Sequence, residues 1–147
     1  MTDQRGQEPD EAEGSISKVP SEVCLTLLMG ATVGRVAFLG EGGRQELMPV
    51  NFAVVDREIY FRTTSTGPLA ALADGKDNVA FGVDHFDSAS GHGWNVTVRG
   101  ETKRVDEPET VNFADASGLG TPWAGGDRRQ VVKIVIREID GRRVARV

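Results

Sequence analysis

Apolar residues along this chain fall into short runs with a period of two, separated by Gly, Pro and Asp. That is the punctuation of a β protein. Strands are predicted from Val33 to Leu39, Glu46 to Val55 and Glu58 to Thr63, with Asp56-Arg57 as a turn. Further strands are predicted from Asn78 to Asp84, Trp94 to Val105 and Val131 to Arg137, with a last one after Gly141. In the long strand, Trp94, Val96 and Val98 alternate against Asn95, Thr97 and Arg99; in the closing one, Val132, Ile134 and Ile136 are expected to face inward. Pro49 lacks the N–H a ladder needs, so it marks an edge, a bulge or a barrel rim.

Helical spacing is confined to three short stretches. Pro20 to Met29 has Pro20 in its first turn, Glu22 near the positive end of its dipole, Gly30 as its stop, and Val23, Leu27 and Leu28 on one face. Gly67 to Asp74 and Pro108 to Ala116 are the other two, and Ser117 to Asp127 reads as a Gly/Pro loop. Six or seven strands with so few helices point to a mainly β protein, a closed barrel rather than a sandwich.

Composition narrows the class. A chain of 147 residues with 39% hydrophobic and 27% charged residues makes one globular domain, read as 15–147. Residues 1–14 carry five acids, one Arg and no apolar run, and read as a disordered acidic tail rather than a signal or anchor. No later stretch reaches the roughly 20 apolar residues a membrane helix needs, so a cytoplasmic protein with no membrane partner is expected. The net charge of −5 argues against a nucleic-acid partner. Cys24 is the only cysteine, which excludes an internal disulfide and a cysteine-rich zinc site, and its helix marks it as a buried, inert thiol. His85 and His92 lie near Asp84 and Asp87 without metal-ligand spacing, so no metal is expected.

Three segments carry candidate chemistry. Arg62-Thr63-Thr64-Ser65-Thr66-Gly67-Pro68 joins a strand to a helix start and offers one guanidinium and four hydroxyls. Such a loop suits a phosphate, but equally a Thr/Ser-rich turn with an N-cap. In Met48-Pro49-Val50-Asn51-Phe52, the Asn51 amide and a strand broken by Pro49 could serve the polar edge of a flat ring, or could be an irregular strand with a surface Asn. In Gly93-Trp94 through Arg99-Gly100, Trp94 could stack on a ring and Arg99 hold an anion, though a Trp opening a strand is ordinarily core or interface. No side chain presents itself as a catalytic acid, base or nucleophile.

Taken in order, Val33–Phe38, Pro49–Phe52, Ile59–Thr63, Asn78–Asp84, Gly93–Gly100 and Ile139–Arg143 resemble the pyridoxamine 5'-phosphate oxidase-like proteins, especially the small bacterial, nitroimidazole-reductase-like branch. The resemblance runs from about Ser15 to Val147. It implies an FMN-binding split β-barrel, a homodimer with the flavin at the subunit interface, and a flavin-dependent oxidoreductase acting on a small-molecule acceptor. Pro49, Val50 and Asn51 would lie along the flavin ring; Arg62, Thr63, Thr64, Ser65 and Thr66 would hold its phosphate; Trp94 and Arg99 would approach from the interface strand. Relatives commonly carry a phosphate-binding Lys where this chain has Pro68. A charge-assisted hydrogen bond is worth about 1.5–3 kcal/mol, roughly 10- to 150-fold in affinity. That departure leaves open a deazaflavin coenzyme, or a non-enzymatic barrel, in place of an FMN enzyme. The stretch from Gly141 to Val147 lacks the Arg/His pattern that true pyridoxamine phosphate oxidases use on substrate. A protein-interaction module working through the acidic tail is the remaining alternative.

Overall fold

A computed structural model describes residues 14–119 and 130–146. Residues 1–13 of the tail and most of the predicted Gly/Pro loop lie outside the described residues. The elements are β1 (Ser15–Val19), α1 (Ser21–Met29), β2 (Val33–Leu39), β3 (Gln45–Val55), β4 (Glu58–Thr63), α2 (Ala70–Ala73), β5 (Val79–Asp87), β6 (His92–Val105), α3 (Pro108–Ala114) and β7 (Gln130–Ala145). An irregular turn, Asp115–Leu119, follows α3.

All strand pairs are antiparallel, in the order β1-β7-β4-β3-β2-β5-β6, and β6 pairs back onto β7 to close the barrel. β7 is long enough to serve two neighbours on one edge: β4 takes Gln130 to Ile134, and β1 takes Gly141 to Ala145. The two strands expected at the C-terminus are thus one, bent at a bulge opposite Arg99/Gly100. Gly100 is required there, because a Cβ would sit 2.0 Å from the Val135 carbonyl oxygen. Gly34 is required for packing, since a Cβ would lie 2.2 Å from the Phe81 ring. The Asp56-Arg57 turn has positive φ at both residues, 49° and 65°, the geometry that matches strand twist in a two-residue hairpin.

Several boundaries differ from the sequence expectation. β1 was not predicted, because Ser-Ile-Ser-Lys carries no buried face and only Val19 is buried. The helix at 67–74 shrinks to Ala70–Ala73, and that at 108–116 ends at Ala114. The buried face of α1 is Cys24, Leu25 and Leu28, with Val23 and Leu27 only partly covered. In β7, Val132 and Ile134 face the interior as expected, Ile136 is partly buried, and Val131 is buried on the opposite face.

The interior is filled by Phe52, Phe61, Phe81, Ile59, Val96, Val98 and Ile134, with Phe52 and Phe81 in edge-to-face contact at 5.0 Å. Helices close the barrel at opposite ends. Cys24 of α1 comes up against Gly141, at the level of Val96. Leu72 of α2 is tied to Thr102, whose hydroxyl donates to the Leu72 carbonyl at 2.7 Å and accepts the Lys76 N–H at 2.8 Å. Burial, and secondarily Asp140, pushes the Cys24 thiol above its ordinary value. Outside the barrel, Ala114 and Leu119 cover Ala53, Val55, Tyr60 and Val131 in a second small core. No helix among the described residues is long and apolar enough to cross a membrane.

Candidate functional site

Strand alternation decides which candidate side chains can meet. In β3, Val50 and Phe52 point into the barrel, so Pro49 and Asn51 point outward with Ala53. In β4, Phe61 and Thr63 point in, so Arg62 points outward beside Tyr60. Phe52 pairs with Phe61, which leaves Asn51 and Arg62 side by side on the outer face where the β3–β4 ladder ends. Val50 is 6% exposed and Thr63 0%, so at this corner they offer backbone groups rather than side chains.

The place of Pro49 now has a reason. The Phe52 N–H is donated back to Thr32 at 3.1 Å, on the β2 side. Alternation turns the nitrogen of Pro49 to the other edge, beyond the last residue that β4 pairs. The missing donor therefore breaks no ladder bond, and Pro49 marks an edge.

Arg62 is engaged. Its Nη2 lies 2.5 and 2.7 Å from the two carboxylate oxygens of Asp115, with side chains 17% and 35% exposed. This partner comes from the turn after α3, 53 residues away, and no sequence spacing announced it. In the following loop Thr63 Oγ1 donates to the Thr64 carbonyl at 3.1 Å, and Thr64 Oγ1 donates to the Thr66 carbonyl. Ser65 and Thr66 are exposed. Burial raises the Tyr60 phenol above its ordinary value, an effect that Lys133 opposes.

Trp94 and Arg99 are elsewhere. Thr63 pairs with Gln130, and the adjoining Val131 pairs with Val105 of β6. Trp94 is eleven residues up that strand, about 36 Å along it at about 3.3 Å per residue. Within one chain, Trp94 and the Thr64 to Thr66 loop sit at opposite ends of the barrel. Arg99 points outward, 3.6 Å from Asp140, into a groove of about 560 Å³ that Ala37, Leu39 and Ala80 also line. A second groove of about 380 Å³ adjoins it through Ala37 and Ala80 and is edged by Arg35 and Leu47. These two concavities lie on the bare outer face of β2, β3, β5 and β6, nearer Pro49 than Arg62.

The donor set at the corner fits a phosphate-bearing ring compound in kind. Pro49 and Asn51 border an edge that β4 leaves uncovered, and a guanidinium and two exposed hydroxyls stand where a phosphate could bind. Its phosphate end fits only by exchange, because an anion bound at Arg62 competes with Asp115. Among the described residues no group of three or more His, Cys, Asp or Glu could hold a metal ion.

Comparisons with known proteins agree with this architecture. A family model described as pyridoxamine 5'-phosphate oxidase matches residues 20–143. A putative pyridoxamine 5'-phosphate oxidase from Corynebacterium glutamicum superposes with a TM-score of 0.72 at 27% identity, covering 88% of this chain and 94% of that one. The FAD binding protein from Mycobacterium smegmatis gives 0.71 at 26% identity, covering 88% and 98%. A conserved protein of unknown function from Corynebacterium diphtheriae gives 0.70 at 31% identity, covering 90% and 98%. No curated protein matches. With a family match over most of its length and the split barrel that the match implies, this chain belongs to the pyridoxamine 5'-phosphate oxidase family.

Proposed function

We propose that the protein is a flavin-binding split barrel that works as a homodimeric oxidoreductase on a small-molecule electron acceptor. The observation that carries this reading is that Asn51 and Arg62 stand on the outer face, each one residue past the last β3–β4 pair, Phe52 with Phe61. Similarity to the Mycobacterium smegmatis FAD binding protein supports a flavin as the cofactor class; FMN is the form proposed here. A bound flavin supplies the electron transfer through its ring, and the protein supplies binding, orientation and electrostatics. Pro49, Val50 and Asn51 line the ring edge, Val50 through its backbone. Arg62, Ser65 and Thr66 take the phosphate, with the backbone of Thr63 and Thr64 shaping the loop.

The bare outer face is proposed as the dimer surface. Leu47 is 66% exposed, Leu39 58% and Val33 36%, strung along β2 and β3 from Val33, opposite Asn51, to Leu39 at the far end of the pair. Apolar side chains gathered around two adjoining grooves suit a second copy better than water. If Trp94 contacts the flavin, the length of β6 requires that it come from the partner subunit.

A second reading is favoured by Pro68 and by the hold of Asp115 on Arg62: a non-enzymatic or deazaflavin-binding barrel with weakened FMN phosphate binding. The visible absorption spectrum of the purified protein, followed by titration with FMN and a deazaflavin, separates the two. A flavin band, or saturable FMN binding weakened about 10- to 150-fold by Arg62→Ala, supports the first. Binding of the deazaflavin alone establishes the second. Binding of neither overturns the flavin reading.

A further inference from the structure

Beyond the end of the barrel that α1 closes, strands β5, β6, β7 and β1 continue as a four-stranded sheet. Register places His85, Trp94, Arg143 and Ser17 in one row across it, each directly opposite its neighbour. The next row on the same face holds Asp87, His92, Ala145 and Ser15. Both rows line one concavity of about 400 Å³, within the size range of small-ligand pockets.

The chemistry of this face is that of a recognition surface rather than a core. Trp94 is half-buried and packs against the barrel interior, which fixes its ring. His85 lies beside it, ring centroids 6.4 Å apart and tilted by 37°. Arg143 stands on the other side of Trp94 in the row and is exposed. Among the described residues, Arg143, His85 and His92 form no ion pair and donate no side-chain hydrogen bond. Every other Arg named above as a candidate, Arg62 and Arg99, has a carboxylate partner. The acid on this face, Asp87, is turned to its own hairpin: it accepts the Ala89 N–H at 3.1 Å, and the Ser90 hydroxyl and that N–H hold its carboxyl below its ordinary value.

We propose that this face binds a small planar carboxylate, an aromatic or heteroaromatic acid, with its ring on Trp94 and its carboxylate on Arg143. An anchored indole offers a stacking plane of low entropic cost, and an uncommitted guanidinium beside it matches a carboxylate with two parallel hydrogen bonds. His85 and the hydroxyl of Ser17 border the two ends of the row and limit the ligand to about one ring. The site is complete within one chain and lies about 36 Å along β6 from the strand level of Thr63. Within one chain it therefore stands apart from the flavin corner, and the Arg62→Ala arm of the test distinguishes it from a site that a partner subunit would complete at that corner.

The test is an NMR titration of the full chain with 4-nitrobenzoate, following the indole N–H of Trp94 and the amides around Arg143. Saturable shifts at Trp94 are expected. Arg143→Gln should weaken binding by about tenfold or more, and the neutral isostere 4-nitrobenzamide should bind the native chain at least about tenfold less tightly, since each removes a charge-assisted pair. Arg62→Ala should leave the affinity unchanged, which keeps this result separate from the fate of the flavin reading. Absence of a saturable shift at Trp94, equal affinity for the amide, or indifference to Arg143→Gln overturns the proposal. Loss of binding in Arg62→Ala does so too, by moving the ligand to the other end of the barrel.

Discussion

β3 crosses two outer faces of the same barrel, and they are built differently. Toward its C-terminal end, Ala53 and Val55 lie under Ala114 and Leu119 and are 6% and 5% exposed. Toward its N-terminal end, Leu47 is 66% exposed and nothing in the described chain covers it. Both halves alternate in the same way, so strand pattern does not distinguish them. What distinguishes them is whether the chain later returns with a helix. Apolar residues on the roofed half complete this chain's own fold. Those on the bare half are free to meet something outside it, and the candidate corner at Asn51 and Arg62 lies on the boundary between the two.

Breaking the roof should have the largest effect. Leu119 is 2% exposed, and Leu119→Ala should cost about 2–5 kcal/mol by opening a cavity over Tyr60 and Val131. Urea denaturation gives the value, and a change below about 0.5 kcal/mol would mean that the roof is dispensable.

The ion pair that pins this roof to β4 comes next. Asp115→Asn should lower stability by about 1–3 kcal/mol, since it leaves a mostly buried guanidinium with a weaker acceptor. The same variant should tighten FMN binding by weakening the Asp115 carboxylate as a competitor for Arg62. Weaker FMN binding would instead show that Asp115 orients Arg62 for the ligand.

On the bare face, Leu47→Asp should change the stability of the folded chain by no more than about 0.5 kcal/mol, the usual range for an exposed position. In light scattering it should shift the protein toward the monomer. A variant as dimeric as the native protein would remove this face as the proposed interface.

The smallest effect concerns Asp87, at the far end of β5. Its carboxyl is held below its ordinary value by Ser90 and Ala89, so its contribution is present above the unfolded-state value and is lost as pH falls through the lowered folded one. Acid titration should therefore shift the amide of Ala89 within the acidic carboxylate range without unfolding the barrel. Global unfolding in the same step would show that this turn is coupled to the roofed core.

Much of the fold was legible in the sequence because period-two alternation and turn chemistry are local. Val33 to Leu39 and Glu58 to Thr63 fall where the pattern placed them, and the two positive φ values at Asp56-Arg57 follow from a two-residue hairpin. β1 was illegible because its stability comes from pairing with β7 rather than from a buried face of its own. The site was legible as residue types only. The approach of Asn51 to Arg62, just past the last β3–β4 pair, depends on register, and the capture of Arg62 by Asp115 joins residues 53 apart. Neither leaves a periodic trace.

The sequence by itself determined a mainly β chain, one cysteine in a largely buried helix face, and a loop rich in hydroxyls after Arg62. Tertiary structure alone decided that β6 closes onto β7, which half of β3 is roofed, and that Trp94 stands with Arg143 rather than with Thr64. The physical reason is that alternation fixes which residues share a face of a strand, whereas register and closure fix which strands share a face of the molecule. Recognition of a ligand depends on the second.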